Sequence, residues 1–182
     1  VAAVTFNERF ISRGEKTRSD KRALANTIAH EMAHMWFGNL VTMDWWNGLW
    51  LKESFATYMA NLALSESTKY KEVWDAFYTG TEQWAYSSDQ AVTTHAIELP
   101  VPTTDDAYTN FDGITYGKGA SVLRQLPYYL GKNAFRAGVS NYLKKYSYQA
   151  TTLNDFVTEL GLAAQQDLTQ WQQQWLYQAG VN

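Results

Sequence analysis

The chain has 182 residues, with 15 lysines and arginines against 18 aspartates and glutamates and a formal net charge of −3. That length is enough for one globular domain with its own core, and the absence of a basic cluster argues against nucleic acid or an anionic membrane as a partner. The chain has no cysteine, which excludes disulfides and thiolate metal ligands and fits a reducing compartment.

The beginning of the chain predicts a strand followed by a long helix. Alternating apolar and polar residues in VTFNERFI, residues 4–11, favour the strand. Ser19 is the expected N-cap of the helix, which should end at Phe37 because Gly38 can take the left-handed conformation of a C-terminal cap.

The rest of the chain predicts more helix than strand. LVTM at residues 40–43 favours a short strand, and helices are expected at about 49–66 and 70–86, followed by an irregular stretch with two prolines. Another helix should open near Gly117, and Thr152 with an aspartate three residues later indicates a capped helix. No window approaches the roughly 18 apolar residues of a membrane span. Residues 1–182 therefore predict a single, mainly α domain with one or two short strands near its N-terminus.

The segment AHEMAHMWFGN holds two of the three histidines, four positions apart, with a glutamate directly after the first. Residues four apart on an α-helix are rotated by about 40°, so His30 and His34 project side by side and can chelate one ion. Glu31 lies about 100° round from His30 and can flank that ion without binding it. Zn²⁺ in hydrolases usually takes three protein ligands and a water, so another nitrogen or oxygen ligand is required.

The second predicted helix offers the missing ligand. Glu53 lies nineteen positions after His34, and three alanines share its face. Small side chains would let the two helices approach, although alanine is also simply a good helix former. His95 is expected to serve local structure and is a reserve ligand only if Glu53 does not bind. The histidines of HEMAH also suit an ordinary amphipathic helix.

HEMAHMWFGNLVTMDWWNGLWLKESFATYM resembles the gluzincin aminopeptidases, the family of aminopeptidase N, puromycin-sensitive aminopeptidase and leukotriene hydrolase. The shared pattern is H-E-x-x-H, eighteen residues and then E. The resemblance implies a thermolysin-like zinc metallopeptidase domain of the α+β family, with His30, His34 and Glu53 as zinc ligands and Glu31 as general base. FDGITYGKGASVL resembles the family segment whose tyrosine, here Tyr116, stabilises the transition state.

The resemblance also implies a reaction. One Zn²⁺ would activate water to hydrolyse the first peptide bond of peptides that have a free N-terminus. Relatives carry an upstream β-rich domain and a G-x-M-E-N segment that holds the substrate amine. We therefore expect residues 1–182 to be the catalytic domain truncated at its N-terminal side and to be weakly active or inactive by itself. Two alternatives are a zinc-binding fragment with little turnover and another hydrolytic use of the site, as endopeptidase or epoxide hydrolase.

Several other features have simpler interpretations. GITYGKGA is not a phosphate loop, because three residues separate its first two glycines and Lys118 is followed by glycine. Tryptophans 45, 46 and 50 are expected to pack in the core rather than to line a substrate pocket. Thr27 and Thr57 are placed either to orient the metal ligands or to bond to the preceding helical turn.

Overall fold

The structure, a computed structural model, describes residues 3–181 without the side chain of Arg9. It is mainly helical, as predicted, with two short strands. Its α-helices are α1 (Arg18–Ala33), α2 (Trp50–Ser67), α3 (Val73–Ala76), α4 (Gln83–Asp89), α5 (Thr104–Ala107), α6 (Gly119–Tyr129), α7 (Lys132–Lys145), α8 (Leu153–Ala164) and α9 (Thr169–Trp175).

Two π-helical segments extend these helices. Phe77–Glu82 joins α3 to α4, so the predicted helix at 70–86 is a continuous helical stretch, and Ile114–Lys118 leads into α6. Short 3-10 helices occur at Glu8–Phe10, Trp46–Gly48 and Tyr108–Asn110. In the described part of the chain, no helix has both the length and the apolar character needed to cross a membrane.

The strands β1 (Val41–Met43) and β2 (Gln149–Thr151) form a parallel pair, with Val41 opposite Gln149 and Met43 opposite Thr151. The predicted strand at 40–43 is confirmed. Its partner comes from late in the chain, so the sheet joins the segment after α1 to the segment before α8.

The core surrounds α2, which is buried along most of its length. Phe55 is fully buried, stacks on Phe37 with ring centroids 4.3 Å apart, and meets Phe156 of α8 edge to face at 5.1 Å. α2 packs against α1, α6 and the π segment Ile114–Lys118. This burial on several sides fits a helix whose apolar residues are not confined to one stripe.

The predicted strand at residues 4–11 is wrong. Residues 3–7 have no regular structure, Glu8–Phe10 form a 3-10 helix, and residues 3–8 are exposed. Alternation of apolar and polar residues gives a stable strand only where a neighbouring strand can pair with it. The described sheet consists of β1 and β2 alone, so this segment has no such neighbour in it.

The predicted limits of α1 are also wrong by a few residues. Thr17, not Ser19, is the N-cap, because its hydroxyl accepts a hydrogen bond from the amide of Asp20 at 3.1 Å while the Asp20 carboxylate accepts one from the Thr17 amide at 3.0 Å. The helix ends at Ala33 with His34 as C-cap. Gly38 does take a positive φ, of 131°, but within the turn that follows the helix.

Of two other predictions for the later part of the chain, the one for the proline-containing stretch was incomplete and the one for the start of α8 is confirmed. The irregular stretch with two prolines contains the short helix α5, which was not predicted. The capped helix was predicted correctly, since Thr152 is the N-cap of α8 and forms a capping box with Asp155.

Candidate metal centre

Three donor groups from α1 and α2 meet in one place. The Nε2 atoms of His30 and His34 lie 3.1 Å apart, and Oε2 of Glu53 lies 3.4 Å from each of them. The donor atoms all lie within 4.8 Å of one another and could hold a metal ion. His95, the reserve ligand, is not part of this group.

The ends of two packed helices position these donors. His30 is in the last turn of α1 and His34 is its C-cap, whereas Glu53 is in the first turn of α2. Ala56 and Ala60 on α2 are fully buried, as the close approach of two helices requires. The third alanine of the predicted face, Ala63, is exposed.

Hydrogen bonds orient both imidazole rings. Nδ1 of His34 donates to the carbonyl of Phe37 at 3.0 Å, and Nδ1 of His30 lies 3.4 Å from Oγ1 of Thr57. If an ion takes the place of the proton on Nε2, these contacts keep the other ring proton on Nδ1, so that each Nε2 can offer its lone pair. Thr27 instead donates to the carbonyl of Ala23 at 3.2 Å, so of the two threonines only Thr57 contacts the site.

The carboxylate of Glu53 is buried but has cationic or proton-donating neighbours. Burial by itself would raise its pKa, but hydrogen bonds from His30 and His34 outweigh that effect and hold the pKa well below its ordinary value. Nζ of Lys52 lies 3.4 Å from the other oxygen, Oε1. Burial likewise opposes charge on His34, yet the hydrogen bond to Glu53 raises its pKa. Glu53 is therefore an anion, suited to a cation.

Tyr116 lies beside the histidines. Its ring stacks on that of His30, with centroids 5.9 Å apart and an interplanar angle of 17°. Burial, and then the negative charge of Glu53, raise the pKa of the phenol, and the charge of Glu31 adds to this. The phenol therefore keeps its proton and can act as a hydrogen-bond donor. Glu31, half-buried on α1, is near enough for its charge to act on Tyr116.

Further aromatic residues around Tyr116 were not predicted to belong to the site. The rings of Trp84 and Phe111 lie 6.2 and 6.4 Å from the Tyr116 ring, and Trp46 contacts Phe111 at 6.5 Å. Trp84 and Phe111 are more than a third exposed. They form a partly open aromatic wall on one side of the donor group.

The prediction that three tryptophans pack in the core holds for one of them. Trp50 is fully buried and donates to the buried carboxylate of Glu98 at 2.6 Å. Trp45 is 47% exposed and donates to the carbonyl of Val101, and Trp46 is half-buried. The indole N–H groups of Trp45 and Trp46 bond to the loop that carries the two prolines and to the start of α5, which keeps both rings near the surface.

Residues 1–175 match the Peptidase family M1 domain. The chain belongs to peptidase family M1. It is 45% identical over 182 residues to aminopeptidase N of Streptomyces lividans, 39% identical over 179 residues to leucyl aminopeptidase of Saccharolobus solfataricus, and 40% identical over 179 residues to tricorn protease-interacting factor F2 of Thermoplasma volcanium.

These matches cover 99%, 98% and 98% of the chain, but 21%, 23% and 23% of the three M1 relatives. The chain therefore spans about a fifth of their length. Family M1 consists of zinc-dependent peptidases. Within residues 3–181, His30, His34 and Glu53 form a group that could hold such an ion.

Proposed function

We propose that the protein is a zinc-dependent aminopeptidase in which His30, His34 and Glu53 bind one Zn²⁺ ion. Glu31 would act as general base and Tyr116 would stabilise the transition state. The observation that carries the proposal is the convergence of the three donor atoms in a chain that matches family M1. Residues 1–182 would then form the catalytic peptidase domain.

The spacing of the donor atoms fits zinc. Two ligands about 2.0 to 2.1 Å from a tetrahedral Zn²⁺ ion are separated by roughly 3.3 Å. The three separations here are 3.1, 3.4 and 3.4 Å. Two neutral imidazoles and one carboxylate are also a common ligand set of catalytic zinc, which leaves a position for water. The residues present therefore fit the ion.

A zinc ion held by His30, His34 and Glu53 would supply Lewis acidity and would make water acidic enough to react near neutral pH. Glu31 is suited to accept the proton of that water and to pass it to the departing amine. It can do so because the metal ligands on its helix are its neighbours His30 and His34 rather than Glu31 itself. The carboxylate therefore remains available as a base.

Tyr116 is suited to stabilise the oxyanion that forms from the peptide carbonyl. Its raised pKa keeps the hydroxyl protonated, so the residue donates a hydrogen bond where negative charge develops. The names of two relatives, aminopeptidase N and leucyl aminopeptidase, support a substrate class. We therefore infer that the substrates are peptides with a free N-terminus.

The first prediction tests the general base. Glu31→Gln should retain one zinc per chain and lower kcat by about 10²- to 10⁴-fold on an aminoacyl p-nitroanilide, because the amide cannot accept a proton. Metal analysis after gel filtration and steady-state kinetics measure the two quantities. Glu66→Gln is the matched control, since Glu66 is exposed near the far end of α2.

Three outcomes would count against the proposal. Full turnover by Glu31→Gln removes Glu31 from the mechanism. Zinc retained at full stoichiometry by both His30→Ala and Glu53→Ala places the ion elsewhere. Faster cleavage of an N-acetylated reporter than of the free-amine reporter identifies an endopeptidase.

A further inference from the structure

Asp112 accepts hydrogen bonds from the backbone of the segment that carries Tyr116. Oδ1 of Asp112 accepts hydrogen bonds from the amides of Ile114 at 3.0 Å and Thr115 at 3.1 Å. The Asp112 carbonyl accepts a third from the amide of Tyr116, also at 3.1 Å. Three successive amides leading to the phenol are thus bonded to one residue.

The second carboxylate oxygen of Asp112 is bonded to His95. Nε2 of His95 lies 3.0 Å from Oδ2 of Asp112, and Nδ1 lies 2.7 Å from the carbonyl of Ala96. Both ring nitrogens face acceptors, an arrangement that only the doubly protonated imidazolium satisfies. Burial opposes this charge, but the hydrogen bonds to Asp112 and Ala96 raise the pKa of His95.

The Tyr116 segment is also confined by its neighbours. A Cβ atom on Gly113 would lie 2.6 Å from Oγ of Ser88 and 2.8 Å from the carbonyl oxygen of Trp84. The hydroxyl of Ser54, next to the predicted ligand Glu53, donates to the carbonyl of Thr115 at 2.5 Å. The backbone around Tyr116 therefore has little room to shift as long as Asp112 stays in place.

We propose that Asp112 and His95 are positioning residues for Tyr116. The imidazolium of His95 holds the carboxylate of Asp112 in place, and this carboxylate in turn holds the backbone that orients the phenol. This inference rests on the proposed function, because the role of the phenol is part of it. Misplacing a catalytic group by about 1 Å can cost about 10²-fold in rate. The pair therefore acts on catalysis through Tyr116.

The test is a double-mutant cycle in the purified, zinc-loaded protein. Asp112→Ala should lower kcat about 10- to 100-fold, with KM changed less than about threefold and zinc stoichiometry unchanged. In the Tyr116→Phe background the same substitution should have little further effect, because the group that it misplaces is already absent. Equal losses in both backgrounds would overturn the inference.

Two further variants separate positioning from general stability. Asp112→Asn should keep most of the activity, since its amide oxygen can still accept from both backbone amides and its NH₂ group can donate to neutral His95. His95→Ala leaves the carboxylate bonded to the helix and should give a smaller loss of kcat than Asp112→Ala. Glu159→Gln, which removes the Lys145–Glu159 ion pair between α7 and α8, is the control and should leave kcat unchanged. A kcat loss in Asp112→Asn as large as in Asp112→Ala would contradict the role of these hydrogen bonds.

A measurement without turnover keeps this inference distinct from the proposed function. If the wild-type protein binds zinc but cleaves no reporter, the proposed function fails. The positioning role can still be tested by ¹⁹F NMR with 3-fluorotyrosine at position 116. Asp112→Ala and His95→Ala should shift or broaden that resonance and Glu159→Gln should not, and an unchanged resonance in a folded Asp112→Ala protein would overturn the inference.

Discussion

Glu53 shows how far a single residue of the site can be predicted. The regular rotation of the α-helix places His30 and His34 side by side, and the structure brings Glu53 to within 3.4 Å of both Nε2 atoms. Helical spacing is a local rule, so the sequence could indicate His30 and His34 before any fold was known. Glu53 lies on another helix, and it was indicated by the ligand preferences of zinc together with the resemblance to the gluzincin aminopeptidases.

The positions of His95 and Asp112, which we propose support Tyr116, could not be predicted from such a local rule. Seventeen positions separate His95 from Asp112, and the intervening residues include Pro100, Pro102 and the short helix α5. Their contact depends on the course of that loop, which helical or strand periodicity does not encode. This is why His95 was considered as a reserve metal ligand, whereas the structure places it against a carboxylate.

At the residue scale, a further prediction concerns the hydroxyl group of Tyr116. Tyr116→Phe keeps the ring that stacks on His30 but removes the hydrogen-bond donor. Zinc binding should be unchanged, while kcat should fall because roughly 2 to 4 kcal/mol of transition-state stabilisation is lost. Parallel metal analysis and steady-state kinetics on one reporter check this. Tyr108→Phe is the control, because Tyr108 is 75% exposed; an unchanged kcat in Tyr116→Phe would exclude an oxyanion role.

At the element scale, the glycines of GITYGKG have a packing role. A Cβ on Gly117 would lie 2.7 Å from the carbonyl oxygen of Thr81 and 2.8 Å from the Cβ of Ala85, and one on Gly119 would overlap the Ser54 hydroxyl. The π segment Ile114–Lys118 thereby lies directly against α4 and α2. The spacing of this motif argues against a phosphate loop. Its packing role depends on neighbouring helices and could not be read from the motif.

The same packing gives a prediction about stability. Gly117→Ala should lower the free energy of unfolding by about 1 to 3 kcal/mol, because the added methyl group meets backbone and a buried side chain rather than a flexible chain end. Urea denaturation measures the change. Gly80→Ala is the matched control on the facing π segment Phe77–Glu82, since nothing lies within 4 Å of a Cβ at that position. There the substitution should be neutral or stabilising by about 0.4 to 1 kcal/mol, and equal stabilities for the two variants would show that the contact is not tight.

Element boundaries were predicted well only where the chain itself supplies the signal. The capping box at Thr152 and Asp155 fixes the start of α8, and its two residues are only three positions apart in the sequence. The strand expected at residues 4–11 failed because pairing, not alternation, decides whether an extended segment is a strand. β1 was found correctly, but its partner β2 lies more than 100 residues later, beyond the reach of a local pattern.

At the scale of the whole molecule, the proposed metal site links α1 to α2, the helix that the core surrounds. α1 provides His30 and, at its C-cap, His34. α2 provides Glu53 together with the buried residues Trp50 and Phe55. In an unfolded chain the ligands from α1 and α2 are not held together, so an ion that binds them binds the native state preferentially. Zinc should therefore stabilise the fold and not only serve the reaction.

The size of this stabilisation can be estimated. Zinc at about a thousand times its dissociation constant should add about 4 kcal/mol, which corresponds to a rise in Tm of about 8 to 16 °C for a chain of this length. Thermal denaturation followed by circular dichroism, with and without a chelator, measures the shift. Glu53→Ala should lose most of it, because two histidines alone form an incomplete site, whereas Glu66→Gln should retain it. The same zinc-dependent rise in Tm in Glu53→Ala as in the wild-type protein would mean that the ion stabilises the chain through other residues, and that the link between α1 and α2 is not made by metal.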